Sequence, residues 1–197
     1  MPLAELQTAL GTMIAEHAAA GQLSTATCLA ISQLPLTPTE HAWLAALPAG
    51  RGFWVTCDIQ RWWRETRLRD TARLTLAALG TEQAAAQLTA YLSAHLCESL
   101  FFLPETFGFL QFVADSTTQP ILRAIAQFEA ALLQARETAV RVAESASIEV
   151  KDTWIEFCAP PEEVLAALLQ GFPLPAPTTE RFPVLVSARL PQLWQAG

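Results

Sequence analysis

The chain has 197 residues, 52% hydrophobic and 16% charged, with a formal net charge of -7. That length can bury one sound core, or a larger helical part with a small appended module. The negative charge argues against duplex DNA held by bulk electrostatics, and so against a nucleic-acid partner. No uncharged apolar run approaches the roughly 18 residues of a bilayer span, and Glu5 precedes any basic residue. No membrane helix or signal peptide is therefore expected, and the expected location is cytoplasmic. So much hydrophobicity with so little charge points to a permanent protein partner covering part of the surface. Cys28, Cys57, Cys97 and Cys158 are scattered, which is neither a disulfide framework nor a zinc pattern; reduced, mostly buried thiols are the expectation.

Leu3, Leu6, Leu10, Met13, Ile14 and His17 recur at spacings of three and four and predict a helix over 3–20, ended by Gly21. Residues 23–34 read as a helix or an extended link. Thr37-Pro38-Thr39-Glu40 is a start signal: a cap, a first-turn proline and a glutamate that answers the cap, with Trp43, Leu44 and Leu47 then facing inward. Pro48 to Gly52 break the chain. Phe53-Trp54-Val55-Thr56-Cys57 is aromatic and β-branched and suits a strand or an extended bridge, with Asp58 as the cap of the next helix. Ile59 to Leu79 reads as helical in two pieces, with a restart near Asp70-Thr71 and a stop at Gly80. A further helix from Thr81 through Leu96 buries Leu88, Leu92 and Tyr91. Phe101, Phe102, Leu103, Phe107, Phe109, Leu110 and Phe112 form an aromatic cluster expected at the centre of the helical core. Pro120 opens the longest helix, whose stripe Ile121, Leu122, Ile125, Phe128, Leu132 and Leu133 runs to about Arg141.

The C-terminal part changes character. Ile148-Glu149-Val150 and Trp154 to Cys158 read as extended runs of opposite parity, which a turn or bulge at Lys151-Asp152 reconciles. Pro160-Pro161-Glu162-Glu163 opens a short helix that Gly171 closes, burying Val164, Leu165, Leu168 and Leu169. Phe182 to Val186 is a third strand, and because Pro183 lacks a ladder donor it is expected to begin at, or lie along, an edge. So small a sheet must lean on the helices. It is either a structural cap or a free edge to which an extended peptide adds a strand, the backbone supplying hydrogen bonds and alternate side chains entering pockets.

Catalytic motifs are missing from the pattern. His17, His41 and His95 have no zinc-protease spacing, and no cysteine or serine sits in a nucleophile motif. Gly50 and Gly52 do not make a phosphate loop. More informative are Arg51, Arg61, Arg64, Arg67, Arg69 and Arg73, half of the 12 Lys and Arg residues, set beside Trp54, Trp62 and Trp63. They form either a solvated face whose tryptophans are core, or an interface, since Arg and Trp are enriched at binding hot spots.

These residues also carry a resemblance. Gly52-Phe53-Trp54-Val55 leading to Asp58 and Trp62-Trp63, then Arg73-Leu74 and Leu79-Gly80, resembles the N-terminal half of the methanobactin biosynthesis family MbnC. Phe157, Pro161-Glu162-Glu163-Val164-Leu165, Gly171-Phe172-Pro173-Leu174-Pro175, Phe182-Pro183-Val184-Leu185-Val186 and Leu190-Pro191-Gln192-Leu193-Trp194 look like that family's C-terminal module. The resemblance implies a non-catalytic partner of an iron-dependent TIM-barrel enzyme of the MbnB type, with the iron in that partner and no cofactor in this chain. Together such a pair converts cysteines of a ribosomally made, MbnA-like precursor peptide into oxazolone and thioamide groups, giving a copper-chelating peptide. The resemblance further implies that the C-terminal module of the MbnC-like subunit resembles the elements that capture leader peptides by strand addition.

The expectation is thus an α+β fold, with a helical, partner-binding domain over 1–145 and a small β-rich recognition module with a short helix over 146–197. Peptide binding is expected at Ile148, Val150, Trp154, Ile155, Phe157, Val184, Leu185 and Val186, and partner contact at Arg51, Trp54, Arg61, Trp62 and Arg64. The rival readings are a helical adaptor or regulator that binds a protein or DNA, and a stand-alone enzyme with convergent titratable groups.

Overall fold

The computed structural model describes residues 3–96, 102–144 and 149–197. Among them are eight α-helices and one three-stranded antiparallel sheet, so the fold is of the α+β class. The chain divides into two compact units: Met1–Arg67 with Leu88–Leu100, and Leu68–Gln87 with Phe101–Gly197. This division falls within helices, and the sheet shares a core with the long helix that precedes it. Residues 145–148, where the sequence suggests a boundary, lie outside the described residues, as do Cys97, Phe101 and the side chains of Phe102 and Leu103 in the expected aromatic cluster.

In the first unit, α1 (Leu3–Ala20) ends where Gly21 takes φ 73 and donates its N–H to the His17 carbonyl at 2.8 Å. Of residues 23–34, the central eight are helical: α2 (Thr25–Ser32) is capped by the Ser24 hydroxyl, which accepts from the Thr27 N–H. At α3 (Pro38–Ala46) both halves of the capping box form, the Thr37 hydroxyl accepting from the Glu40 N–H and the Glu40 carboxylate from the Thr37 N–H. A 3-10 turn, Leu47–Ala49, leads into α4 (Arg51–Thr71). Phe53 to Cys57 are therefore helical, not a strand or bridge, and Asp58 lies inside the helix. The reason is packing: helical spacing places Phe53 and Cys57 one turn apart on a single face, in a core with Ala9, Met13, Ala18 and Leu44. Burial there outweighs a β preference that is itself mostly a packing preference. The restart expected near Asp70 occurs at Ala72, and α5 (Arg73–Ala94) is interrupted at Gly80, whose φ 71 and ψ 169 are open to glycine almost alone.

In the second unit, α6 (Phe102–Ser116) and α7 (Pro120–Glu144) form a helical hairpin. Phe109 and Leu110 are buried, as are Ile121, Leu122, Ile125 and Phe128. β1 (Thr153–Phe157), β2 (Phe182–Val186) and β3 (Trp194–Ala196) come next, with α8 (Pro161–Gln170) between β1 and β2. The sheet order is β1-β2-β3, so the strand bearing Pro183 is central and not at an edge. Pro183 is tolerated because its nitrogen faces the last rung of the β2–β3 pairing. There Gly197 N–H donates to the Pro183 carbonyl at 2.8 Å, and only the return donor is missing. Glu149 and Val150 carry no regular structure; the third strand is Trp194–Ala196. The inner face of the sheet rests on α7, the Phe128 ring lying edge-on to Phe157 at 5.6 Å and to Trp194 at 5.7 Å. Val164 of α8 joins this core, whereas Leu169, expected in its buried face, is 80% exposed.

Glu129 is the polar group on which α5 and α7 converge. Its two carboxylate oxygens accept from the Leu74 and Thr75 N–H groups, each at 2.8 Å, satisfying first-turn donors of α5 from 55 residues away. Burial pushes the Glu129 carboxyl above its ordinary pKa, and the hydrogen bonds from Thr75 and Leu74 oppose that shift. A carboxyl raised in the folded state contributes stability that is full below the ordinary carboxylate range and is lost as pH rises through the raised value. Urea unfolding is accordingly expected to show stability falling as pH rises through that window, and Glu129→Gln to flatten this slope. Glu129→Ala leaves a buried donor at Thr75 and a part-buried one at Leu74 without an acceptor and is expected to lose roughly 2–3 kcal/mol. A loss within about 0.5 kcal/mol, as for an exposed side chain, would contradict the assignment.

Candidate functional site

Strand alternation decides which backbone groups of the sheet are committed. On β2, Pro183, Leu185 and Ser187 turn their peptide groups to the β3 side, as the Gly197-to-Pro183 and Ser187-to-Leu193 hydrogen bonds show. Phe182, Val184 and Val186 then turn theirs to β1, opposite Phe157, Ile155 and Thr153. The N–H and C=O of Trp154 and Glu156 consequently point away from the sheet, and they bond to no described residue. The next outward carbonyl, that of Cys158, is occupied: the Thr178 N–H donates to it at 2.6 Å and the Thr178 hydroxyl at 3.2 Å.

Along this edge runs a groove of about 420 Å³ lined by Trp154, Ile155 and Glu156, by Arg181, and by Pro120, Arg123, Ala124 and Gln127 of α7. The α7 residues fall at spacings of three and four, so they are one face of its first two turns. Arg123 is fixed in place, its Nε donating to the Ala114 carbonyl at 3.1 Å and its Nη2 to the Thr117 carbonyl at 2.8 Å, which closes the end of α6. Arg181 makes no hydrogen bond or ion pair with the described residues.

The residues to which the sequence points fall into three groups. Trp154 is 62% exposed beside the groove. Ile155 touches the groove but is buried, and Phe157, Val184 and Val186 are core, so these four support the edge and do not present side chains to an incoming strand. Leu185 is half-buried in the central strand. Val150 precedes β1, with its carbonyl accepting from Arg189 at 3.4 Å, and Ile148 lies outside the described residues. Arg123, Gln127 and Arg181 carry no signal in the sequence, since only tertiary proximity brings them to β1.

The Arg/Trp stretch is sorted by helix face. Arg64, expected at an interface, is 3% exposed, and its Nη2 donates to the His95 carbonyl at 2.8 Å. Arg61 shares that inward side, where it donates to the Ala18 carbonyl at 3.4 Å. The Trp54 indole N–H donates to the Pro48 carbonyl, and its ring stands edge-on to His17 at 4.2 Å. On the opposite face Val55, Ile59 and Trp62 succeed one another at helical spacing and are 47%, 50% and 58% exposed, with Arg51 exposed one turn before Val55. Trp63 lies beside Trp62, and Arg67 sits over its ring at 5.6 Å. Two further apolar cavities of the first unit lie against Leu10, Ile14, Trp43 and Phe53, and against Met13, Leu23, Ile31 and Leu44.

Among the described residues no three His, Cys, Asp or Glu side chains are placed to hold a metal ion, and no helix is long and apolar enough to cross a membrane. Compared with known protein families, curated proteins and solved structures, the chain matches none.

Arg64→Ala is expected to cost about 2–3 kcal/mol in urea unfolding, because it removes a buried side chain and the charge-assisted bond it donates to the His95 carbonyl. Trp62→Ser, on the exposed face, is expected to stay within about 0.5 kcal/mol. The opposite ranking would show that the two faces of α4 have been exchanged.

Proposed function

We propose that this chain is a non-catalytic, cytoplasmic subunit that captures the leader of a ribosomally made precursor peptide and presents its cysteines to a companion enzyme. The observation that carries the reading is the outer edge of β1: peptide groups at Trp154 and Glu156 that pair with no described residue, with a groove against α7 beside them. An extended segment is the ligand whose own backbone matches such an edge, and strand addition is the recognition mode this geometry favours. The resemblance to the MbnC family adds the identity of the companion, an MbnB-like iron enzyme that holds the metal, and of the chemistry, conversion of cysteine to oxazolone and thioamide on the way to a copper chelator. The exposed stripe Val55, Ile59 and Trp62 is the surface we assign to that companion. The same stripe also suits a second reading, an adaptor that binds a protein without any peptide; DNA is disfavoured by the net charge of -7.

Two experiments test the proposal. Co-expression with an iron enzyme from the same gene neighbourhood is expected to yield a stable complex, and a well-folded chain that never co-purifies with it counts against the reading. Binding of a fluorescein-labelled leader from a neighbouring cysteine-containing precursor is followed by anisotropy. Glu156→Pro removes one outward donor from an edge position that accepts proline, and is expected to weaken the leader roughly tenfold. Unchanged affinity would exclude β1 as the docking edge.

A further inference from the structure

The β1 edge is open for only a short distance. Among the described residues its outward peptide groups at Trp154 and Glu156 have no partner, yet two residues on, at Cys158, the carbonyl is doubly occupied by Thr178 through its N–H at 2.6 Å and its hydroxyl at 3.2 Å. Thr178 belongs to the connection between α8 and β2, which carries Pro173, Pro175 and Pro177 before it. Those prolines fix φ at three alternate positions and stiffen the approach to Thr178. A peptide pairing with β1 therefore meets a rung already filled by the chain itself.

We infer that Thr178 is a ladder stop: it ends the pairing after Glu156 and so limits how many residues of a bound peptide pair with β1. This rests on the reading of β1 as a docking edge. Hydrogen bonding alone leaves strand register free to slide by two residues, since side chains alternate with that period. A filled rung at one end removes the positions beyond Glu156 to which a peptide could shift. For a subunit that presents a downstream residue to an enzyme, a two-residue slip moves the target by roughly 7 Å, enough to abolish productive geometry. Thr178 is thus a positioning residue, acting on the peptide only through the Cys158 carbonyl.

The test uses fluorescein-labelled peptides of alternating threonine and valine with four, six and eight residues, titrated against the full chain. With the natural chain, affinity is expected to rise from four to six residues and then level off. Thr178→Pro removes the donating N–H, and the eight-residue probe is then expected to gain roughly fivefold over the six-residue one, as an added backbone pair permits. Amide hydrogen exchange on the natural chain gives an independent readout that does not need the variant to fold. The eight-residue probe is expected to slow exchange at Trp154 and Glu156 while Thr178 stays as protected as in the free chain. Faster exchange at Thr178, or affinity that keeps rising with length in the natural chain, overturns the stop and leaves strand addition standing. Failure of every probe to bind, or to protect Trp154 and Glu156, overturns both.

Discussion

The contact on which the second unit depends is the packing of Phe157 and Trp194 against Phe128. Three short strands cannot hold together alone in water, and here one aromatic ring on α7 meets a ring from each outer strand, so both edges of the sheet are fixed to the same helix. The consequence is geometric. Seating the inner face of β1 on α7 brings the first two turns of that helix alongside the strand's outer edge, and the groove beside Trp154 and Glu156 results from the same packing that stabilises the sheet. Arg123 reinforces the arrangement, since it closes α6 with two hydrogen bonds while lining the groove.

Local signals in the sequence are legible because they are satisfied locally. The capping box at Thr37 and Glu40, the proline that opens α7 and the left-handed Gly171 that closes α8 each depend on a few neighbouring residues. Where sequence and structure part, the cause is tertiary. Phe53 to Cys57 has strand-like composition, but a core with Ala9 and Met13 rewards helical spacing. Pro183 looks like an edge residue until its missing donor is found to face the final rung of a ladder. β3 has only three residues and is reached through Leu193 at φ 64, an uncommon conformation for a side chain of that kind, so no periodicity announces it.

The candidate site is legible to the same degree. That an extended run near the C-terminus leaves an edge can be argued from strand number and the cost of a small sheet. Which edge, and what stands across from it, requires knowing that Pro120 and Arg123 lie next to residues some 30 positions later. Arg64 and Trp62 show the limit most clearly. Two residues apart and equally suggestive as interface types, one is buried on a carbonyl and the other is exposed, because α4 has one face turned to the core and another turned away.

α7 stabilises the sheet and borders the outer edge of β1, which we propose as a template for a peptide whose chemistry occurs on another subunit. The most direct measurement is an isotope-edited NMR spectrum of the labelled chain bound to an unlabelled leader. Strand addition predicts interchain cross-peaks between peptide backbone protons and the amides of Trp154 and Glu156, in the close alternating pattern of paired strands. Cross-peaks confined to α4 or to β3, with the Trp154 and Glu156 resonances unmoved, would contradict it.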